Sequence, residues 1–134
     1  MLDHHRALIY TMVLVSAAES DLPDAELRII GDIVGDLPVF HDFDRSELPG
    51  VLNDCADLAG RDNGPEETLK AIKAALPPKL RETAYAIACD LVAANGGAAQ
   101  EELRILELIR DRLAIDRLIA AAIERGARAR FQTL

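Results

Sequence analysis

A stretch near the amino terminus, Ala17-Ala18-Glu19-Ser20-Asp21-Leu22-Pro23-Asp24-Ala25-Glu26-Leu27, returns in altered form further along the chain. The second version is Ala93-Ala94-Asn95-Gly96-Gly97-Ala98-Ala99-Gln100-Glu101-Glu102-Leu103, displaced by 76 residues (17 to 93, 26 to 102). The same displacement pairs Arg28 with Arg104 and Ile29 with Ile105, and backwards Tyr10 with Ala86, Val13 with Cys89 and Val15 with Leu91. Each copy reads as an apolar helix, a short polar turn, and a second helix opening with carboxylates. A repeated unit of this kind cannot bury its apolar face alone, so two helical hairpins are expected to close on one another. The repeat spans about residues 7–34 and 83–110.

The 134 residues fit one domain by the usual size range, and can bury a core without staples. Half the residues are hydrophobic, yet there is no Trp and only 4% aromatics, so the core must come from Leu, Ile, Val and Ala. Small side chains let helices approach closely. No alternating strand pattern is present. The reading is an all-α chain of about seven helices, a compact pseudo-twofold bundle.

Local signals place the elements. Asp3 caps a first helix over about 4–19, apolar on most sides and therefore surrounded. Pro23 opens the second, about 23–35, with Leu27, Ile30 and Val34 inward. A connector over 36–44 contains Pro38 and is expected to hold a short helical turn or an irregular loop. A third helix covers about 45–58, with Val51, Leu52, Cys55 and Leu58 inward. Pro65 opens a fourth, with Leu69, Ile72 and Leu76 inward. Pro77-Pro78 then starts the second copy of the apolar helix, about 78–94. Its partner follows at about 100–113, with Leu103, Leu106 and Ile109 inward. The last helix, about 116–125, carries Leu118, Ile119, Ala122 and Ile123, and residues 126–134 read as a flexible tail.

The formal net charge of −8 disfavours nucleic acid, whose phosphates bind basic surfaces, and disfavours an anionic membrane surface. No apolar run is long enough to span a bilayer, and no secretory leader is expected, which points to the cytoplasm. Cys55 and Cys89 fall in helical apolar patterns without a CxxC, so buried reduced thiols are expected. No nucleophile motif, phosphate-cradling glycine loop or HExxH occurs, and an enzyme is not expected.

The chemistry-bearing residues gather at the two turns. Glu19, Asp21, Asp24 and Glu26 could aim several oxygens at one point, as hard cations require. Asp24 and Glu26 also stand where any helix favours acids, because the helix dipole stabilises them there. The second turn offers Asn95 and Glu102, with Glu101 beside them and Asp90 one turn back. His41-Asp42 with Asp44 reads as a solvated loop or a small acid–imidazole site. Arg125, Arg128 and Arg130, with Arg112 and Arg117 upstream, form a basic end on an acidic chain, suited to an acidic protein partner or to a second copy.

The two turns resemble the repeated A-x-D-G-x-hydrophobic-x-x-x-E signature of TerB-like tellurite-resistance proteins, a module also found at the amino terminus of DjlA-type co-chaperones. The similarity runs through Leu76-Pro77-Pro78-Lys79-Leu80-Arg81 into the second copy. It implies an all-α pseudo-symmetric fold, a non-enzymatic role in tellurite and other stress responses, and a divalent cation at the acidic turns. Residue by residue, the signature's Asp falls on Glu19 and Asn95, its Gly on Ser20 and Gly96, and its closing Glu on Glu26 and Glu102. The metal set implied is therefore Glu19, Asp21, Asp24, Glu26, Asn95 and Glu102.

Overall fold

In a computed structural model, residues 2–17, 24–96 and 100–134 are described. Among them the chain forms seven α-helices and no strand: α1 (His4–Ser16), α2 (Asp24–Asp36), α3 (Leu48–Ala59), α4 (Gly64–Ala75), α5 (Pro78–Ala94), α6 (Gln100–Arg112) and α7 (Arg117–Arg130). Short 3-10 turns at Pro38–Phe40 and Arg45–Glu47 fill the connector before α3. The expected all-helical class is therefore what the chain adopts. The expected third helix from Arg45 is split, because Pro49 has no N–H and suits only the first turn of an α-helix.

The central helix is α1. Every residue from Ala7 to Ser16 is buried, and α1 packs on α3, α4, α5 and α6. Its entry is fixed by Asp3, whose side chain accepts from the Arg6 backbone N–H at 2.9 Å. The hydroxyl of buried Thr11 donates to the Ala7 carbonyl at 2.8 Å, so no donor is stranded in this apolar setting. Its counterpart α5 packs along α1 and also carries α6 and α7. The two apolar helices of the repeat thus form the spine of the bundle.

The two outer helices of the repeat, α2 and α6, keep the 76-residue displacement at both ends (24 to 100, 36 to 112). At the α3–α4 corner, a Cβ on Gly64 would lie 2.1 Å from the Ala59 carbonyl oxygen, so only glycine allows this close crossing.

Leu103, expected inward, and three of the apolar residues expected to mark the last helix are exposed. Leu103 is 45% exposed and Leu118 82%, and Ile119 and Ala122 also face solvent. The reason is the partner. Helix α7 lies on α5 through its small side chains, Ala120 and Ala127, which permit close approach and turn the larger residues outward. Helix α7 also runs on to Arg130, past the expected end at residue 125. Ala127 is buried against the bundle and Arg130 pairs with Asp90 of α5, and both contacts hold the last turns in place.

Candidate cation site at the helical elbows

The first turns of α2 and α6 meet the end of α5. Asn95, the C-cap residue of α5, donates from Nδ2 to Glu26 Oε1 and to Glu102 Oε2, each at 3.0 Å. Glu26 is 8% exposed and Glu102 2%. These two glutamates are the closing Glu of each copy, so equivalent residues of the repeat meet across it. Each stands in the first turn of its helix, where free backbone N–H groups and the dipole favour a carboxylate.

The remaining residues implied for the site fare differently. Asp24 and Glu101 are exposed. Glu19 and Asp21 lie outside the described residues. Among the described residues no group of three or more His, Cys, Asp and Glu side chains is placed to hold a metal. Among the described residues the fold brings together two carboxylates and one amide.

That set has a definite chemistry. Two carboxylates sharing a half-dry spot repel one another, and a donor or cation between them removes the repulsion. Here both Nδ2 hydrogens of Asn95 can be engaged, one by each glutamate. An amide is ambivalent: turned over, it presents Oδ1 as a ligand instead. Oxygen-only donors of this kind suit Ca²⁺, Mg²⁺ or Mn²⁺ better than a soft ion. The sequence reading offered Asn95 as a metal ligand at the second turn, not as a donor joining the two glutamates. Its bridging role depends on a contact to Glu26, a partner 69 positions away, which no local pattern reveals. Close to this elbow, at the end of α1, Ser16 is buried and its hydroxyl has no hydrogen-bond partner among the described residues.

Other candidate chemistry is accounted for by packing. Burial pushes the thiols of Cys55 and Cys89 up to about 12, leaving little thiolate at neutral pH. Tyr85 donates to Glu124 Oε2 at 2.5 Å, and burial first, then that carboxylate, raises its phenol well above the ordinary value. Of His41, Asp42 and Asp44, the first two stay together, with His41 Nδ1 3.7 Å from the Asp42 carboxylate, and Asp44 stands apart. Asp44 caps the turn at Ser46, while Asp42 lies 3.1 Å from Nε2 of buried His5, which also bonds the Val39 carbonyl at 3.0 Å. His5 stacks on Phe40, so the pair pins the connector to α1. Desolvation works against the Asp42 charge, but backbone bonding and the imidazoles of His41 and His5 outweigh it and hold the carboxyl below its usual range.

No helix among the described residues is long and apolar enough to cross a membrane. In comparisons with known proteins, no family model matches the chain, and no curated protein or solved structure matches it significantly.

Proposed function

We propose that this protein is a non-enzymatic, TerB-like helical module that binds a divalent cation where its two elbows meet, in a cytoplasmic stress-response setting that includes tellurite. The observation that carries the reading is the convergence of Glu26 and Glu102 on Asn95. Glu26 and Glu102 supply the charge, and Asn95 supplies a neutral oxygen when its amide turns over. The cation relieves the repulsion between the two glutamates and ties α2 to α6. It acts as a clamp on the fold and performs no bond-making step.

Calorimetric titration with Ca²⁺, Mg²⁺, Mn²⁺ and Zn²⁺ tests the site, with the oxygen-preferring ions expected to bind. Saturation at about 100 times Kd adds roughly 2.7 kcal/mol of stability, seen as a rise in Tm. Glu26→Gln and Glu102→Gln each abolish both signals. A wild-type chain that shows neither heat nor a Tm shift with any of the four ions removes the cation role. The tellurite setting rests on the resemblance of the two turns, and growth of a deletion strain in tellurite tests it separately.

A second reading, a docking scaffold for a protein or a second copy, draws support from the apolar side chains left outside on α7, above all Leu118. Light scattering distinguishes self-association from a monomer.

A further inference from the structure

Helices α2 and α5 and the end of the chain line a groove of about 310 Å³ that includes neither Glu26 nor Glu102. Helix α2 lines it with two rows at helical spacing. Ile29, Ile33 and Leu37 form an apolar floor, and Asp32 and Asp36 form an acidic rim. Asp90 of α5 closes the rim.

Three observations fix the chemistry of what fits there. First, Asp32 and Asp36 sit in the last turns of α2, where the helix dipole opposes acids, and no basic residue stands there to offset them. In the other copy the position equivalent to Asp36 is Arg112, the charge a helix end favours. The acids at the end of α2 therefore do not serve the helix. Second, Asp32 and Asp36 are exposed, and among the described residues neither pairs with a cation. Third, the one part of the rim that is occupied shows what it accepts. The Arg130 guanidinium pairs with Asp90, and the adjacent Phe131 lies against the groove.

We infer that this groove is a docking site for a basic amphipathic helix of another protein, its apolar side chains on the isoleucine floor and its Lys or Arg side chains on Asp32 and Asp36. This is the helix-in-groove mode, with the chain's net negative charge steering a basic partner toward it. The site shares no residue with the proposed cation site, so either can fail without the other. A second copy is disfavoured as the occupant. Its own basic segment is already held in cis at Asp90, where effective concentration favours the intramolecular contact.

The probe is a fluorescein-labelled leucine–lysine amphipathic peptide, with a leucine–glutamate peptide as its control, followed by anisotropy on the full chain. The lysine peptide binds and the glutamate peptide does not. The double substitution Asp32→Asn/Asp36→Asn weakens binding about tenfold, while Asp54→Asn/Asp57→Asn on the exposed side of α3 changes it less than about twofold. Unchanged Tm of both double variants shows that the loss is not unfolding. The proposal is overturned if the lysine peptide fails to bind or if both double variants weaken it equally. It is also overturned if light scattering shows a dimer that Asp32→Asn/Asp36→Asn dissociates, since the occupant would then be a second copy.

Discussion

Helices α2 and α6 occupy equivalent positions 76 residues apart, begin alike and then part. Each opens with two acids, and each buries the closing glutamate against Asn95. Beyond that first turn they bury different rows. Helix α2 buries Ile30 and Val34, whose counterparts in α6 are the half-buried Leu106 and Arg110. Helix α6 instead buries Ile109, whose counterpart Ile33 is half-buried beside the groove. The two helices are thus rotated differently on their neighbours. The part they share is the part where they meet. Elsewhere each answers to a different environment: α6 packs on α1, α4 and α5, while α2 packs on α1, α5 and the 3-10 turn at Pro38–Phe40.

The largest effect that tests this contrast is a paired truncation. Ile30→Ala should cost about 2–5 kcal/mol in chemical denaturation, as a fully buried aliphatic does, and Leu106→Ala clearly less. Equal losses would mean that the two helices are seated alike. Next in size is Asn95→Asp, which gives the second elbow an acid, as Glu19 does in the first. Without divalent cations it should lower stability by roughly 1–3 kcal/mol, since it removes a donor and adds a third charge. Excess Ca²⁺ should restore most of that loss, and a variant indifferent to Ca²⁺ would separate the elbow from cation binding.

A smaller effect concerns how the two helices end. Helix α6 closes with Ala114 at φ 55°, and the Ile115 N–H returns to the Arg110 carbonyl at 3.1 Å. Helix α2 instead stops before Pro38 and needs no left-handed residue. Ala114→Gly should therefore stabilise by roughly 0.5–1 kcal/mol, because glycine adopts this conformation without strain. A loss of Tm would contradict the cap geometry.

The smallest effect contrasts the starts of the two spine helices. Helix α1 has the Asp3 side-chain cap, while α5 follows Pro77 with none. Asp3→Ala should cost about 1 kcal/mol at neutral pH. Burial disfavours the Asp3 charge, yet the backbone N–H and guanidinium of Arg6 outweigh it and hold the carboxyl below its ordinary value. A depressed folded value means that the contribution is present above the unfolded value and is lost as pH falls through the folded one. Wild type and Asp3→Ala should accordingly converge in stability once the pH has fallen through the folded value of Asp3. A gap that persists there would assign the effect to packing.

Much of the architecture could be read from local signals. Helix α5 begins at Pro78 and ends at Ala94 as its proline start and its Asn-Gly exit indicate, and α2 and α6 begin within a residue of where their acids place them. The residues of the candidate site, Asn95 among them, were legible as well, because a repeat names its equivalent residues before any of them is placed. Glu26 and Glu102 were singled out in that way. The role of Asn95 and the pairing of His5 with Asp42 were not, since each joins residues far apart in the chain.

Capping, proline and the period of apolar residues act over a few bonds, so the chain alone determined that the fold is helical and where α2, α5 and α6 begin. Which face of each helix is buried depends on what lies opposite. Leu103 and Leu118 carry the pattern of core residues, yet the core beneath α7 is made by Ala120 and Ala127 pressing on α5. Only the tertiary structure decided that. A helix is apolar in its own right, but its burial is a property of the pair.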